Sequence, residues 1–233
     1  MRPYEFIRNG PIQHQLPVRI VGVGSGFDYG LNGLSHYGLE DIAVLRAQPG
    51  IGVIAPADHR QTRTALEASW NLPGPIYYRL GKAERTEVPG LDGRFEIGRV
   101  QQLREGHDVL MVALGSVAAE VVGAAGDLAH QGVSASVLLV SSVAPPPADD
   151  LVRAMQRFPL VVTVEAHYVT GGLGSLVAEI LAERALGCRL VRCGVRERVD
   201  GQCGSRAHLH ERHGLSRASL AATVQREWGQ VVR

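Results

Sequence analysis

A chain of 233 residues, 45% hydrophobic and 20% charged, is long enough to bury one or two cores. Lys and Arg number 24 against 23 Asp and Glu, a formal charge of +1, and nothing in that balance asks for nucleic acid, an acidic substrate or an anionic membrane. Aromatics at 5% argue against a stacking platform for single-stranded nucleic acid, and three cysteines with no C-x-x-C pair argue against a disulfide framework. The N-terminus lacks a signal-peptide core, and no run reaches the roughly 18 apolar residues of a membrane span. A cytoplasmic protein is expected.

Short β-branched runs alternate with amphipathic stretches. Val18–Val23 reads as a buried strand, Leu39–Ala47 as a helix and Ile51–Ala55 as a second strand. Asp58 is placed to cap a helix running to about Trp70, and Pro75–Arg79 makes a third strand. Such alternation predicts right-handed crossovers and a parallel sheet covered on both faces. Between Lys82 and Glu96 the pattern gives way to charges, Pro89, Gly90, Asp92 and Gly93, the chemistry of a linker. A second series follows: a strand over Val109–Leu114, a helix capped by Ser116 and running to about His130, then a strand over Ala135–Val140. Pro145–Pro147 opens a helix, Leu160–Val164 is a strand, Leu173–Ala185 a helix and Arg189–Arg192 a strand. Helices near 205–212 and 217–228 complete it. The expected fold class is α/β, two domains with mainly parallel sheets flanked by helices: residues 1–83, a linker at 84–95, and residues 96–233. Three strands without an obvious fourth make the first sheet incomplete.

Several segments carry candidate chemistry. Gly22-Val-Gly-Ser-Gly-Phe-Asp-Tyr-Gly30 follows a strand, but its spacing does not make a dinucleotide fingerprint. A loop at the carboxyl end of a parallel strand, where open sheets bind ligands, is the better reading. Gly171-Gly-Leu-Gly-Ser175 suits a tight, closely packed turn better than a phosphate cradle at a helix N-terminus. His208, His210 and His213 do not share one helical face, so a solvated helix surface is preferred over zinc. Cys193, ending an apolar strand, reads as inert packing. His36 follows the loop Gly30–Ser35 at a strand-to-helix turn on the ligand edge of the sheet. There an imidazole can donate to a substrate oxygen or move a proton, although a loop histidine bonded to backbone remains the alternative.

Arg2-Pro-Tyr-Glu-Phe-Ile-Arg-Asn9, Gly33-Leu-Ser-His-Tyr-Gly-Leu-Glu-Asp-Ile-Ala43 and Ala55-Pro-Ala-Asp58 resemble the pyrimidine-binding domain of the transketolase family. Val164-Glu-Ala-His-Tyr-Val-Thr-Gly-Gly-Leu-Gly-Ser175 and Gly194-Val-Arg-Glu-Arg-Val-Asp-Gly-Gln-Cys-Gly-Ser205 resemble that family's C-terminal domain. The likeness covers nearly the whole chain, in the family's order, and is closest to split transketolases, in which two chains divide the enzyme. It implies that the N-terminal unit is a truncated thiamine-diphosphate pyrimidine-binding domain. It makes His36 the active-site histidine beside the cofactor's thiazolium. Phe6 falls where an aromatic lines the aminopyrimidine pocket, and Arg79 where a guanidinium meets substrate phosphate. Asn32 falls where Asp often meets a sugar hydroxyl, and Gly24 where many transketolases place a phosphate-binding histidine.

The glutamate of the family's Ala-Glu-Gln-Asn-like motif and the Gly-Asp-Gly metal ligands do not occur in the sequence. The resemblance therefore implies thiamine diphosphate shared with a partner chain that holds the magnesium and the diphosphate, with no metal site here. An N-terminally shortened chain is an equal explanation of the missing glutamate. The expected function is that of a C-terminal subunit moving a two-carbon ketol unit from a ketose phosphate to an acceptor, in a homo- or hetero-oligomer. The rivals are a deoxyxylulose-phosphate synthase-like or 2-oxo-acid dehydrogenase beta-like subunit, and a non-catalytic assembly protein.

Overall fold

The computed structural model describes residues 2–82 and 87–232. The chain opens with a short helix α1 (Tyr4–Ile7) and an irregular turn, then strand β1 (Arg19–Val23), helix α2 (Asp41–Arg46) and strand β2 (Gly52–Ile54). Helix α3 (His59–Ser69) and strand β3 (Ile76–Leu80) follow. Asp58 caps α3 as its sequence predicts, its Oδ1 accepting from the Gln61 amide at 2.8 Å. The second series runs β4 (Val100–Arg104), β5 (Val109–Leu114), α4 (Ala118–His130), β6 (Ala135–Val140), β7 (Ser142–Ala144) and α5 (Ala148–Met155). It continues through β8 (Leu160–Tyr168), α6 (Leu173–Glu183), β9 (Arg189–Val195), α7 (Arg206–Arg212) and α8 (Arg217–Val231).

These strands form two sheets. The larger has the order β4-β6-β5-β8-β9, parallel except for β4, which runs antiparallel on β6. Its central strands are buried throughout, so their side chains alternate between two cores. Val109, Met111 and Ala113 pack with α4 and α8; Leu110, Val112 and Leu114 face the other way. This second core does not stop at a domain boundary. It contains Leu151 and Met155 of α5, Val177 and Ile180 of α6, and also Ile42, Leu45, Val53 and Tyr77 from the first 80 residues.

The smaller sheet has the order β1-β3-β2-β7. Its first three strands are parallel, and β7, contributed by the C-terminal half, closes it by running antiparallel on β2. The first sheet thus borrows a fourth strand from downstream. On its far side β1 pairs, among the described residues, only with β3, and there Val21 and Val23 are 51% and 55% exposed.

Four local expectations are corrected. Ser116 does not cap α4: it lies in a 3₁₀ turn, Gly115–Val117, and the helix begins at Ala118 without a side-chain cap. Strand β8 runs four residues beyond Val164, carrying Glu165, Ala166 and His167 into the interior. Strands β4 and β7 lie where no strand was expected. In the expected linker, residues 84–86 lie outside the described residues, while 87–95 are largely exposed but anchored at a few points. Val88 and Leu91 join the core of the larger sheet, and the Gln61 side chain donates to the Arg94 carbonyl at 2.8 Å.

Candidate active site

The loop between β1 and α2 leaves the carboxyl end of β1 and carries two 3₁₀ turns, Gly30–Asn32 and Leu34–His36. Its two ends are stitched together: the Gly26 amide donates to the Gly38 carbonyl at 3.0 Å, and the Gly38 amide returns to Gly26 at 2.9 Å. Gly26 adopts a positive φ of 60°, and a Cβ there would stand 2.8 Å from that of Ala166, so both conformation and packing demand glycine. Behind the loop, Phe27 is fully buried against Tyr37 and stacks on His213 of the C-terminal half, ring centroids 5.0 Å apart. Tyr37 Oη donates to the Gln202 carbonyl, and the Gly204 amide donates to the Gly30 carbonyl. The loop is thus a rigid ledge held from behind by residues 199–213.

On its outer surface stands His36. The side chain is exposed, with Nδ1 3.0 Å from Ser35 Oγ and the ring 6.2 Å from that of Tyr29. Lys82 lies across Tyr29, its Nζ 4.8 Å from the ring centroid. Beneath them the buried Asp28 carboxylate accepts from the Lys82 amide at 3.0 Å and pairs with Arg206 at 3.3 Å. A pocket of ≈ 180 Å³ opens beside Lys82, between Leu80, the start of α3, Ser116 and Arg206. An imidazole, a phenol ring and a cation therefore lie in sequence at the carboxyl edge of the smaller sheet, the edge at which open α/β sheets bind ligands.

The four expected site residues fare differently. His36 and Asn32 share the exposed loop surface. Phe6, 77% exposed, projects from α1, which is seated through Tyr4 and Ile7 on the core shared by the two halves; it is outside the line of contacts joining His36 to Lys82. Arg79 is the correction. It is only 3% exposed, its Nε lies 3.0 Å from Asp41 Oδ2, and its Nη2 donates to the carbonyls of Gly38 and Ala166 at 2.6 and 2.9 Å. A guanidinium spent on a buried carboxylate and two main-chain carbonyls is not presented to a substrate phosphate. It ties the base of the His36 loop to β8 instead. Among the described residues an exposed cation at this edge is Lys82, three residues on, which the sequence pattern assigns to a linker.

The network under the loop is densely polar. Burial raises the Asp41 carboxyl, but the Arg79 charge and a 2.8 Å hydrogen bond from Tyr77 Oη outweigh it and hold the group below its ordinary value. Tyr77 is raised by burial and by Asp41. His167 is fully buried; burial and the nearby Arg79 charge push it down to about 4, so the neutral ring donates from Nδ1 to the Tyr168 carbonyl at 2.6 Å. Glu165, also fully buried, is pushed up to about 7 by burial despite accepting from the Leu173 and Gly174 amides at 2.8 Å each. The N-terminus of α6 is therefore already occupied by the protein's own Glu165 carboxyl group. A Cβ on Gly172 would fall 1.9 Å from Glu165 Oε2, which supports the tight-turn reading of Gly171–Ser175 over a phosphate cradle.

Of the histidine cluster, His208 is exposed and His213 half-buried, as a solvated face predicts, but His210 departs from it. His210 is 3% exposed, and neither ring nitrogen has a hydrogen-bond partner. Among the described residues no group of three or more His, Cys, Asp or Glu is arranged to hold a metal ion. The Cys193 thiol is pushed up to about 11 by burial, as suits inert packing. No helix among the described residues is long and apolar enough to cross a membrane.

Comparison with known proteins supplies the family. The pyrimidine binding domain of transketolase matches residues 1–86, and the transketolase C-terminal domain matches residues 98–220. The chain is 34% identical over 203 residues to one of the subunits of the apulose-4-phosphate transketolase of Actinobacillus succinogenes, covering 87% of this chain and 65% of that one. It is 37% identical over 201 residues to the 6-deoxy-6-sulfo-D-fructose transketolase subunit SqwH of Clostridium sp., covering 86% of this chain and 62% of that one. The chain thus spans just under two thirds of the length of these two curated relatives. Among solved structures, a split gene transketolase described as an inactive beta4 tetramer superposes with a TM-score of 0.84 at 36% identity, over 100% of this chain and 73% of that one. With both halves matched in order and relatives named as transketolase subunits, the chain belongs to the transketolase family.

Proposed function

We propose that this chain serves as the pyrimidine-domain and C-terminal subunit of a split, thiamine-diphosphate-dependent transketolase. In this reading it acts with a partner that carries the diphosphate and magnesium ligands, and the pair moves a two-carbon ketol unit from a ketose phosphate to an acceptor. The observation that carries it is the exposed His36 on a rigid ledge, in line with Tyr29 and Lys82, in a chain with split-transketolase relatives.

The residues fit one side of a shared cofactor site. Phe6 and the His36 ledge are both exposed on the N-terminal unit, and among the described residues no acidic or histidine cluster offers a metal site. Thiamine diphosphate, when bound, supplies the carbanion chemistry; the protein orients, desolvates and moves protons around it. His36 would donate a hydrogen bond to a substrate oxygen as charge develops there, and Lys82, with Arg206 behind it, would attract the phosphate of the donor. Arg79 would act indirectly, by fixing the Gly38 carbonyl at the root of the ledge. The description of the solved relative as an inactive beta4 tetramer supports dependence on a second kind of chain.

The test is reconstitution. The purified chain, mixed with a candidate diphosphate-domain subunit, thiamine diphosphate and magnesium, is expected to turn over hydroxypyruvate or a ketose phosphate, whereas neither chain does so alone. His36→Ala should lower that turnover by roughly 10²-fold or more, the scale of a lost general-acid or oxyanion contact, with little change in melting temperature. Turnover of pyruvate in place of ketol donors would assign the chain to another thiamine-diphosphate reaction. A large stability loss with near-normal activity would return His36 to a structural role.

A further inference from the structure

In the C-terminal half, behind the segment that supports the His36 ledge, an open cleft of ≈ 800 Å³ runs along β9 between residues 196–200 and α8. Its walls carry five arginines, Arg192, Arg196, Arg198, Arg212 and Arg226, against three carboxylates, Glu197, Asp200 and Glu227. Two of those carboxylates are engaged: Asp200 pairs with Arg212, while Glu227 is shared between Arg226 and Arg189. Among the described residues the other three guanidinium groups have no such partner. Arg192 donates to the Val169 carbonyl and Arg196 to the Arg192 carbonyl, neutral acceptors that leave the charge in place. Among the described residues Arg198, which is exposed, makes no hydrogen bond or ion pair. The whole chain has a formal charge of +1, so the surplus of two positive charges in this one cleft exceeds that of the entire protein.

We infer that this cleft binds a small anion bearing two adjacent phosphate groups. Guanidinium forks match phosphate oxygens bidentately, and several of them converging in a concavity suit a charge greater than one. The cleft's size suits a small phosphorylated molecule rather than a lone ion. The strand edge and α8 form its rigid walls, so such a ligand would clamp residues 196–200 against them. That segment adjoins the Gln202 and Gly204 backbone that holds the His36 ledge from behind. The cleft itself makes no contribution to the reaction proposed above.

The experiment uses the full chain alone and inorganic pyrophosphate as the probe, without magnesium, followed by titration calorimetry at low and at physiological salt. Saturable one-to-one binding is expected, weakening as salt rises. Arg198→Ala, which removes a side chain with no hydrogen bond or ion pair among the described residues, and Arg196→Ala/Arg198→Ala should weaken binding by roughly tenfold or more while melting temperature stays put. Lys82→Ala, which alters the other cationic edge, should bind as the parent does. No saturable binding at millimolar pyrophosphate would overturn the inference, and so would binding that survives loss of the two arginines or is abolished by Lys82→Ala. None of these outcomes depends on ketol transfer, so the cleft and the proposed function fail separately.

Discussion

Arg79 and His210 show how much a single buried side chain decides. Replacing Arg79 with Ala would leave the Asp41 carboxylate buried with the Tyr77 hydroxyl as its remaining side-chain donor among the described residues, would remove the Ala166 carbonyl's guanidinium partner and would leave the Gly38 carbonyl to the Gly26 amide alone. Removing one partner of a buried ion pair typically costs about 3–5 kcal/mol. Arg79→Ala is therefore expected to lower denaturant stability by that order and to lose activity with donors of every kind. An effect confined to KM for phosphorylated donors would instead restore a phosphate-binding role. His210 acts through pH. Burial, with Arg206 and His213 nearby, holds its imidazole down at about 4, whereas an unfolded histidine titrates near pH 6.5. The unfolded chain thus takes up the proton first. The stability present above about pH 6.5 is lost progressively as pH falls towards 4, by on the order of 2–3 kcal/mol from this group. His167 contributes in the same direction, and Glu165, raised to about 7, opposes it. Urea titrations from pH 7.5 to 4.5 should show a shallower pH slope for His210→Leu than for the parent, with stability at pH 7.5 equal or higher because two unpartnered nitrogens are gone. Identical slopes would remove His210 from the account.

Among the elements, β1 carries the clearest liability. Among the described residues its outer edge has no strand partner, and Val21 and Val23 present half-exposed apolar side chains on one face. Leu31 and Leu34, on the loop that follows, are also exposed. Unpaired edges with exposed β-branched residues invite pairing with another chain. Val21→Thr/Val23→Thr keeps the β-branching and removes the apolar surface. It should reduce concentration-dependent self-association in light scattering while changing stability by no more than about 0.5 kcal/mol. Unaltered association would place the sticky surface elsewhere. The elements also show what a sequence makes legible. Buried parallel strands such as Val109–Leu114 and Ala135–Val140 announce themselves as unbroken apolar runs, and Asp58 announces its helix by position. Strand β4 reads Val-Gln-Gln-Leu-Arg, and β7 is only Ser-Val-Ala; each owes its existence to an antiparallel neighbour, which no local pattern records. The site divides in the same way. His36 stands out because loop and turn are local. The fate of Arg79 depends on Asp41, 38 residues earlier, and on a carbonyl 87 residues later, so its burial could not be read from its strand.

On the function proposed above, the molecule as a whole supplies one side of a cofactor site shared with a partner. Its exposed His36 and Phe6 suit the pyrimidine side, and the described residues contain no metal-ligand cluster for a diphosphate. A wall without ligands for the charged end cannot recover the desolvation and ordering costs of binding. Calorimetry of the isolated chain with thiamine diphosphate and magnesium is therefore expected to give no measurable binding, with heat appearing only when the partner subunit is added. Tight stoichiometric binding by this chain alone would require a complete pocket and overturn the shared-site reading.

The borrowed strand β7 carries a further consequence, for how the chain is made. As the chain emerges from the ribosome, N-terminus first, β1, β2 and β3 are complete once Leu80 is made, yet the strand that closes their sheet ends only at Ala144. Their apolar side, with Ile42, Leu45 and Val53, also waits for α5 and α6. The nascent N-terminal unit therefore cannot settle as a finished domain, and its fold is sealed only once most of the second unit has been synthesised. For the same reason a backbone cut within 84–95 would not release two independent pieces. The halves would stay clasped by β7 on β2, by Arg79 on Ala166 and by a core that belongs to neither alone.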